Sequence, residues 1–257
     1  MQRPHLAVLW AQMVKTAGEA GGKLALGAPR RCGNAYKGPN LSAGIGHRLL
    51  LGAAGAILSL LACLPAHAHP HLLISFETTV LHEKGAFVGL QHAWTFDEMN
   101  SIAEIEGLDK NNDGVYTRAE LQELADLYAQ RLKGASYFTD LKLGGKSLQF
   151  AAAKDQWVEY KNNVITLHFV VPFAAPVLME AKGLTFSVSD PTYYIAFTLA
   201  EKADAVRLGD GTPANCQARV GEAASAAPQP PSGLQESFAA FSAFGISGPK
   251  TVSVECS

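Results

Sequence analysis

A twelve-residue segment carries oxygen-bearing side chains at the spacing of a calcium-binding loop. Residues 109–120 match the pattern D-x-[DN]-x-[DN]-G-x5-E, and Gly114 supplies the sharp turn. The predicted ligands each offer a side-chain oxygen or a backbone carbonyl to Ca²⁺: Asp109, Asn111, Asp113, Val115, Thr117 and Glu120. The alternative is a polar turn between two helices, in which the Asp and Asn side chains only cap helix ends.

Helical patterns flank this loop on both sides, over residues 97–108 and 118–133. The second carries an apolar stripe at helical spacing, made of Leu121, Leu124, Ala125, Tyr128 and Leu132. We therefore expect an EF-hand-like helix-loop-helix at about residues 97–133. Because a single loop of this type is present, we expect its Ca²⁺ to be structural and to hold the two helices against the rest of the domain.

Two histidines could form a transition-metal chelate at the start of a processed chain. If processing leaves His69 first, its α-amine and imidazole can bind Zn²⁺, Ni²⁺, Co²⁺ or Cu²⁺, and His71 can add a third nitrogen. The hairpin register expected below places Asp97 opposite His71, so the Asp97 carboxylate is a candidate ligand in addition to His69 and His71. The alternative is a solvated N-terminus in which these histidines have no ligand role.

An export signal precedes these histidines. Residues 49–64 are uncharged and mostly apolar, Arg48 stands before them, and Ala66-His67-Ala68 follows. Sixteen residues are fewer than the ~20 that a membrane-spanning helix needs, so we expect cleavage after Ala68 and a periplasmic location. An uncleaved anchor and lipidation at Cys63 are the alternatives.

Two cysteines remain after the expected cleavage, Cys216 and Cys256. In an oxidising compartment such a pair predicts a disulfide, and a pair of thiolate metal ligands is the alternative.

Short strand-like segments dominate the remainder, which predicts an α+β fold that is mainly an antiparallel β-sandwich with the helix-loop-helix inserted. In the first hairpin a three-residue loop, 83–85, would pair His82 with Ala86 and Phe76 with His92. The expected organisation is an N-terminal extension and signal peptide (1–68), a sandwich domain (69–220), and a low-complexity loop with a disulfide-tethered tail (221–257).

Composition and charge exclude some classes of function. The chain has 257 residues, 48% hydrophobic and 17% charged, with a net charge of −2. Residues 69–257 hold 14 basic and 22 acidic residues, a net charge of −8, so nucleic acid is not an expected partner. The sequence has no GxSxG, HExxH or phosphate-loop motif, and we therefore expect no enzymatic activity.

Several segments occur in one order: His69-Pro70-His71, residues 94–99, the loop 109–120, residues 168–173, and Asp190-Pro191-Thr192-Tyr193-Tyr194. Together they resemble a bacterial family of unknown function described as the periplasmic component of an uncharacterised ABC-type transport system. The resemblance covers most of residues 69–220. It implies a partner, an inner-membrane metal permease or ABC-type transporter, and a role with transition metals such as nickel, cobalt or zinc.

These observations lead to one expected function and one alternative. The first is a periplasmic accessory protein for divalent transition-metal handling or transport, with a structural calcium site. The alternative is a calcium-stabilised periplasmic interaction module that binds a membrane transporter without binding the transported metal.

Overall fold

Eleven strands and two α-helices lie in the part of the chain that the structure describes. The structure, a computed structural model, describes residues 72–192, 194–222 and 249–257. The first strands and both helices are β1 (Leu72–Glu83), β2 (Ala86–Phe96), α1 (Glu98–Ile105) and α2 (Arg118–Leu132). The remaining strands are β3 (Thr139–Leu143), β4 (Lys146–Ser147), β5 (Lys154–Lys161), β6 (Val164–Leu178), β7 (Leu184–Val188), β8 (Ile195–Leu199), β9 (Val206–Leu208), β10 (Cys216–Glu222) and β11 (Lys250–Cys256).

The strands form two sheets, which confirms the mainly-β, α+β class. The first has the order β5-β6-β2-β1-β8, with β9 also pairing with β1, and the second has the order β10-β11-β7-β3-β4. The first sheet is mixed, because β8 and β9 run parallel to β1 while its other pairs are antiparallel. A parallel pair needs a crossover connection, and here the chain passes through the second sheet before it returns beside β1.

The predicted register of the first hairpin is wrong by two residues. The turn is Lys84-Gly85, both with positive φ, and Glu83 pairs with Ala86. A bulge between Leu81 and His82 then places Phe76 opposite Trp94. A shift of two preserves side-chain alternation, so the apolar residues still share the inner face as expected.

Two apolar clusters fill the interior. One joins the first sheet to α2, with Trp94, Phe169 and Tyr128 among its buried members. The other lies between the two sheets and includes Leu90 and Phe186. The first sheet is thus covered in part by α2 and in part by the second sheet, an arrangement that leaves α1 and the loop before α2 at the surface.

The C-terminal strand has a larger structural role than a tethered tail. β11 lies between β10 and β7 in the second sheet, and its Val252 and Val254 are buried. All described residues belong to one compact unit, and no helix among them is long and apolar enough to cross a membrane. The predicted export segment and cleavage site lie outside the described residues.

Candidate metal centre

Helix α1 is held at its start by Asp97 and by a contact with β6. The Asp97 carboxylate accepts the Asn100 N–H at 2.9 Å, which is a standard N-terminal cap. Ser101 is buried, and its hydroxyl donates to the Asp97 carbonyl and accepts the Ile165 N–H at 3.0 Å. Helix α1 is shorter than the helix expected at residues 97–108, but the Ser101 contact fixes it to the first sheet.

Helix α2 begins with a reciprocal cap at the end of the candidate loop. The Glu120 N–H donates to the Thr117 hydroxyl oxygen, while the Glu120 carboxylate accepts the Thr117 N–H at 2.9 Å. The predicted apolar stripe of α2 is buried throughout. Beside that stripe Gln122 donates to the Gln156 carbonyl of β5 at 3.1 Å, so α2 covers the edge of the first sheet.

The loop between the helices is ordered by its own carboxylates. The Asp109 carboxylate accepts the N–H groups of Asp113 (3.3 Å) and Gly114 (2.9 Å), and the Asn111 side-chain oxygen also accepts the Asp113 N–H (2.9 Å). Asp113 in turn accepts the Val115 N–H at 2.7 Å. Gly114 has φ +78, as predicted for the sharp turn.

Glu120 reaches back across the loop to its opposite end. Its Oε1 accepts the Lys110 N–H at 3.1 Å, and its Oε2 accepts the Thr117 hydroxyl at 2.7 Å. Hydrogen bonds from the Thr117 N–H and hydroxyl lower the pKa of Glu120. Desolvation opposes them, and the N–H groups of Lys110 and Asn111 add smaller contributions that lower it further. A carboxylate that stays ionised at this position is the group that closes a calcium loop.

The pKa of the Tyr116 phenol is raised in part by negative charge in the loop 109–120. Burial raises its pKa, and the nearby carboxylates of Asp109 and Glu120 add to that rise. Asp109 and Glu120, at the two ends of the loop, therefore both act on one phenol.

These contacts leave the two interpretations of the loop open. Among the described residues, no group of three or more His, Cys, Asp and Glu side chains stands close enough together to hold a metal ion. The donor set nevertheless fits Ca²⁺, since all six predicted ligands offer oxygen and the turn already has its positive φ. Binding would require Asp109, Asp113 and Glu120 to move closer together than they now lie.

The predicted transition-metal site is described only at its carboxylate. His69 and His71 lie outside the described residues. Asp97 stands opposite Leu73, whose carbonyl accepts the Asp97 N–H at 3.1 Å, so the predicted pairing of Asp97 with His71 is wrong by the same two-residue shift. The Asp97 Oδ2 also accepts the Leu73 N–H at 3.1 Å, which places this carboxylate at the start of β1.

The predicted disulfide between Cys216 and Cys256 is present, and it joins directly opposite residues of β10 and β11. This pairing uses both sulfurs, so they do not form the alternative thiolate metal site. The bond closes the chain around the segment between the last two strands.

Nothing in the sequence pattern indicated the buried polar atoms around His92 in the first sheet. His92 is fully buried and its Nδ1 lies 2.9 Å from the Thr78 hydroxyl. Its Nε2 and the Trp94 Nε1 are buried without a hydrogen-bond partner among the described residues. On the other face of the sheet His168 stacks on Trp157 with ring centroids 3.9 Å apart, and the Arg118 guanidinium lies 4.6 Å from the same indole.

Most of this chain matches the model of a known protein family. The model of DUF1007, described as a protein of unknown function, matches residues 54–256. The chain belongs to the DUF1007 family. The match contains the loop 109–120, both sheets and both bonded cysteines, and so extends beyond the 69–220 range on which the motif resemblance depended.

A relative from Haemophilus influenzae, described as an uncharacterized protein, is 30% identical over 138 residues. That alignment spans 53% of this chain and 65% of the relative, which is less than two thirds of the relative's length. Neither description names a ligand, a metal or a transport partner.

Proposed function

We propose that this chain is an exported, non-enzymatic accessory protein of a membrane transporter, stabilised by one Ca²⁺ bound in the loop 109–120. The observation that carries the calcium part is the position of Glu120, whose carboxylate reaches from the first turn of α2 to the Lys110 N–H at the other end of the loop and has a lowered pKa. Export is supported by the segment before Ala68, and the transporter partner, a metal permease or ABC-type transporter, by the motif resemblance.

Calcium is expected to raise the melting temperature of the mature protein. For a Kd of ~10⁻⁴ to 10⁻³ M, 5 mM Ca²⁺ stabilises the folded state by about 1–2 kcal/mol, or about 2–8 °C in Tm. Glu120→Gln should remove most of this shift, because it deletes the closing negative charge while a Gln can still complete the helix cap. Thermal melts with calcium and with chelator measure both effects.

Glu123→Gln is the matched control for that experiment. Glu123 lies one turn further along α2 and is not one of the six predicted ligands. Its contact with the loop is an exposed ion pair with the Lys110 ammonium at 3.9 Å. Its variant should keep the full calcium shift. If wild-type Tm does not move with calcium, or if both variants respond alike, the loop is a capped turn and the calcium proposal fails.

A second function is the handling of Zn²⁺, Ni²⁺, Co²⁺ or Cu²⁺ by His69, His71 and Asp97. It is favoured by the Asp97 carboxylate, which bonds the Leu73 N–H and so lies beside the first residues of β1, two positions after His71. On this proposal the exported protein presents or delivers the metal to a permease. In the alternative, the interaction module, the histidines do not bind the transported metal.

Equilibrium dialysis of the mature chain separates these two functions. Transition-metal handling predicts about one metal per chain at micromolar concentrations, lost in the His69→Ala/His71→Ala variant. His82→Ala is the control, because His82 bonds the Asp210 carbonyl at the far end of β1. Equal metal uptake by all three proteins, or none by wild type, would leave the interaction module as the function.

A further inference from the structure

A cavity of about 410 Å³ lies beside β3, at the point where the chain passes from the second sheet to the first. Its volume is in the range of small-molecule pockets. It is separate in the sequence from the loop 109–120 and from the histidines at the N-terminus. From its walls we infer that it binds an uncharged, hydroxyl-rich small molecule of the size of a mono- or disaccharide.

One wall is a strained segment that the core holds in place. Ser136, Tyr137 and Phe138 all have positive φ (+49, +56 and +48), which is costly for residues other than glycine. Ser136 and Phe138 line the cavity, whereas Tyr137 is buried in the core. Phe138 belongs to the same core cluster as Tyr137, so this wall of the cavity is the surface of the core itself.

Tyr137 and its neighbours maintain this conformation through hydrogen bonds. The Tyr137 hydroxyl accepts the Ala153 N–H at 2.8 Å and donates to the Ala151 carbonyl at 3.3 Å. The Tyr137 carbonyl accepts the Thr139 hydroxyl at 2.8 Å, and the Phe138 carbonyl accepts the Ser189 N–H at 2.9 Å. Strain that is fixed in this way beside a cavity indicates a preformed site.

A second wall is fixed by a buried carboxylate. Asp190 is 6% exposed, and its oxygens accept the N–H groups of Thr192, Tyr194 and Ile195 together with the Thr192 hydroxyl. Its neighbours Ser189 and Pro191 line the cavity. Hydrogen bonds within the chain therefore hold both walls, and preorganisation of this kind lowers the entropic cost of binding.

The lining combines neutral polar groups with an apolar base. Hydroxyls come from Ser136, Ser147 and Ser189 and an amide from Gln149, while Phe150 and Leu148 supply apolar surface. Among the described lining residues Asp140 alone is charged, and its carboxylate is already paired with Lys142 at 2.5 Å. The lining offers an anion no positive side chain and offers a cation only a carboxylate that is shared with Lys142. A sugar, in contrast, offers hydroxyls for the polar groups and a C–H face for the apolar ones.

Titration calorimetry with four sugars, glucose, galactose, N-acetylglucosamine and maltose, tests this inference. We expect at least one to bind wild type with a Kd of about 1 mM or lower. Ser147→Trp should abolish binding by filling the mouth, and Gln149→Ala should weaken it about tenfold through the loss of one polar partner. Gln217→Ala, at the opposite edge of the same sheet, is the control and should bind as wild type does.

Glucose 6-phosphate and glucosamine serve as charged probes. They should bind at least tenfold more weakly than the best neutral sugar. The inference is overturned if none of the four sugars binds, if Ser147→Trp leaves binding intact, or if either charged probe binds more tightly. Since Gln149 is exposed, its variant keeps the test valid should Ser147→Trp fail to fold.

Discussion

Acidification from pH 7 to pH 4 is expected to lower the free energy of unfolding by about 3 kcal/mol through the titration of His92 alone. Burial lowers the pKa of His92 from 6.5 to about 3, so the imidazole stays neutral in the folded state. In the unfolded chain the same group binds a proton below pH 6.5. Stability from this residue is therefore complete above pH 6.5 and is lost as the pH falls toward 3.

The surroundings of His92 explain why the folded state resists its protonation. The ring lies among aromatic side chains, with centroids 5.2 Å from Phe169 and 5.9 Å from Trp94, and its Nδ1 forms a hydrogen bond with the Thr78 hydroxyl. A proton on the second nitrogen would create a buried charged donor with no acceptor among the described residues.

Urea unfolding of wild type and of His92→Gln at several pH values measures the effect. The variant loses a titrating group, so the difference in unfolding free energy between the two proteins should change by about 3 kcal/mol from pH 7 to pH 4. Carboxylates such as Glu120 titrate in both proteins and cancel in the difference. Parallel profiles over this range would show that His92 does not carry the acid sensitivity.

Loss of the disulfide is expected to destabilise the protein by about 4 kcal/mol. The bond joins residues 40 positions apart, and the chain-entropy model gives this value for a loop of that length. It also secures β10, an edge strand whose ladder partner is β11. Chemical unfolding of Cys216→Ala/Cys256→Ala against wild type measures the loss.

Wild type under reducing conditions provides the control for that comparison. It should lose a similar amount of stability, and the double variant should not respond to the reductant. A loss below about 1 kcal/mol in both cases would mean that the strand pairing and the buried β11 residues hold this end without the bond.

The regular strands and the second helix were predictable because each carries a periodic apolar pattern. The apolar residues of the first hairpin share the inner face as expected, and the stripe of α2 is buried throughout. The hairpin register was not predictable from the sequence. The turn has two residues, and a bulge between Leu81 and His82 shifts the strand pairing by one further residue, but neither feature has a distinct sequence signal. β11 was missed because a low-complexity segment separates its alternating residues from the rest of the domain.

The loop 109–120 and the cavity beside β3 also differ in how well the sequence predicts them. The loop 109–120 is local, so its ligand pattern is visible in one short segment. The cavity beside β3 is built from residues between 135 and 191 that only the sheet pairing brings together. Its strained wall has Ser, Tyr and Phe where positive φ usually selects glycine, so composition gives no indication of it.

Native mass spectrometry of the processed protein, with calcium and then with chelator, tests most directly whether one Ca²⁺ binds in the loop 109–120 of an exported protein. One spectrum gives both the N-terminus and the bound ions. We predict a chain that starts at His69 and carries one calcium, which chelator removes and Glu120→Gln fails to bind. A spectrum without calcium at millimolar concentration, or one in which Glu120→Gln binds it as wild type does, would contradict the claim.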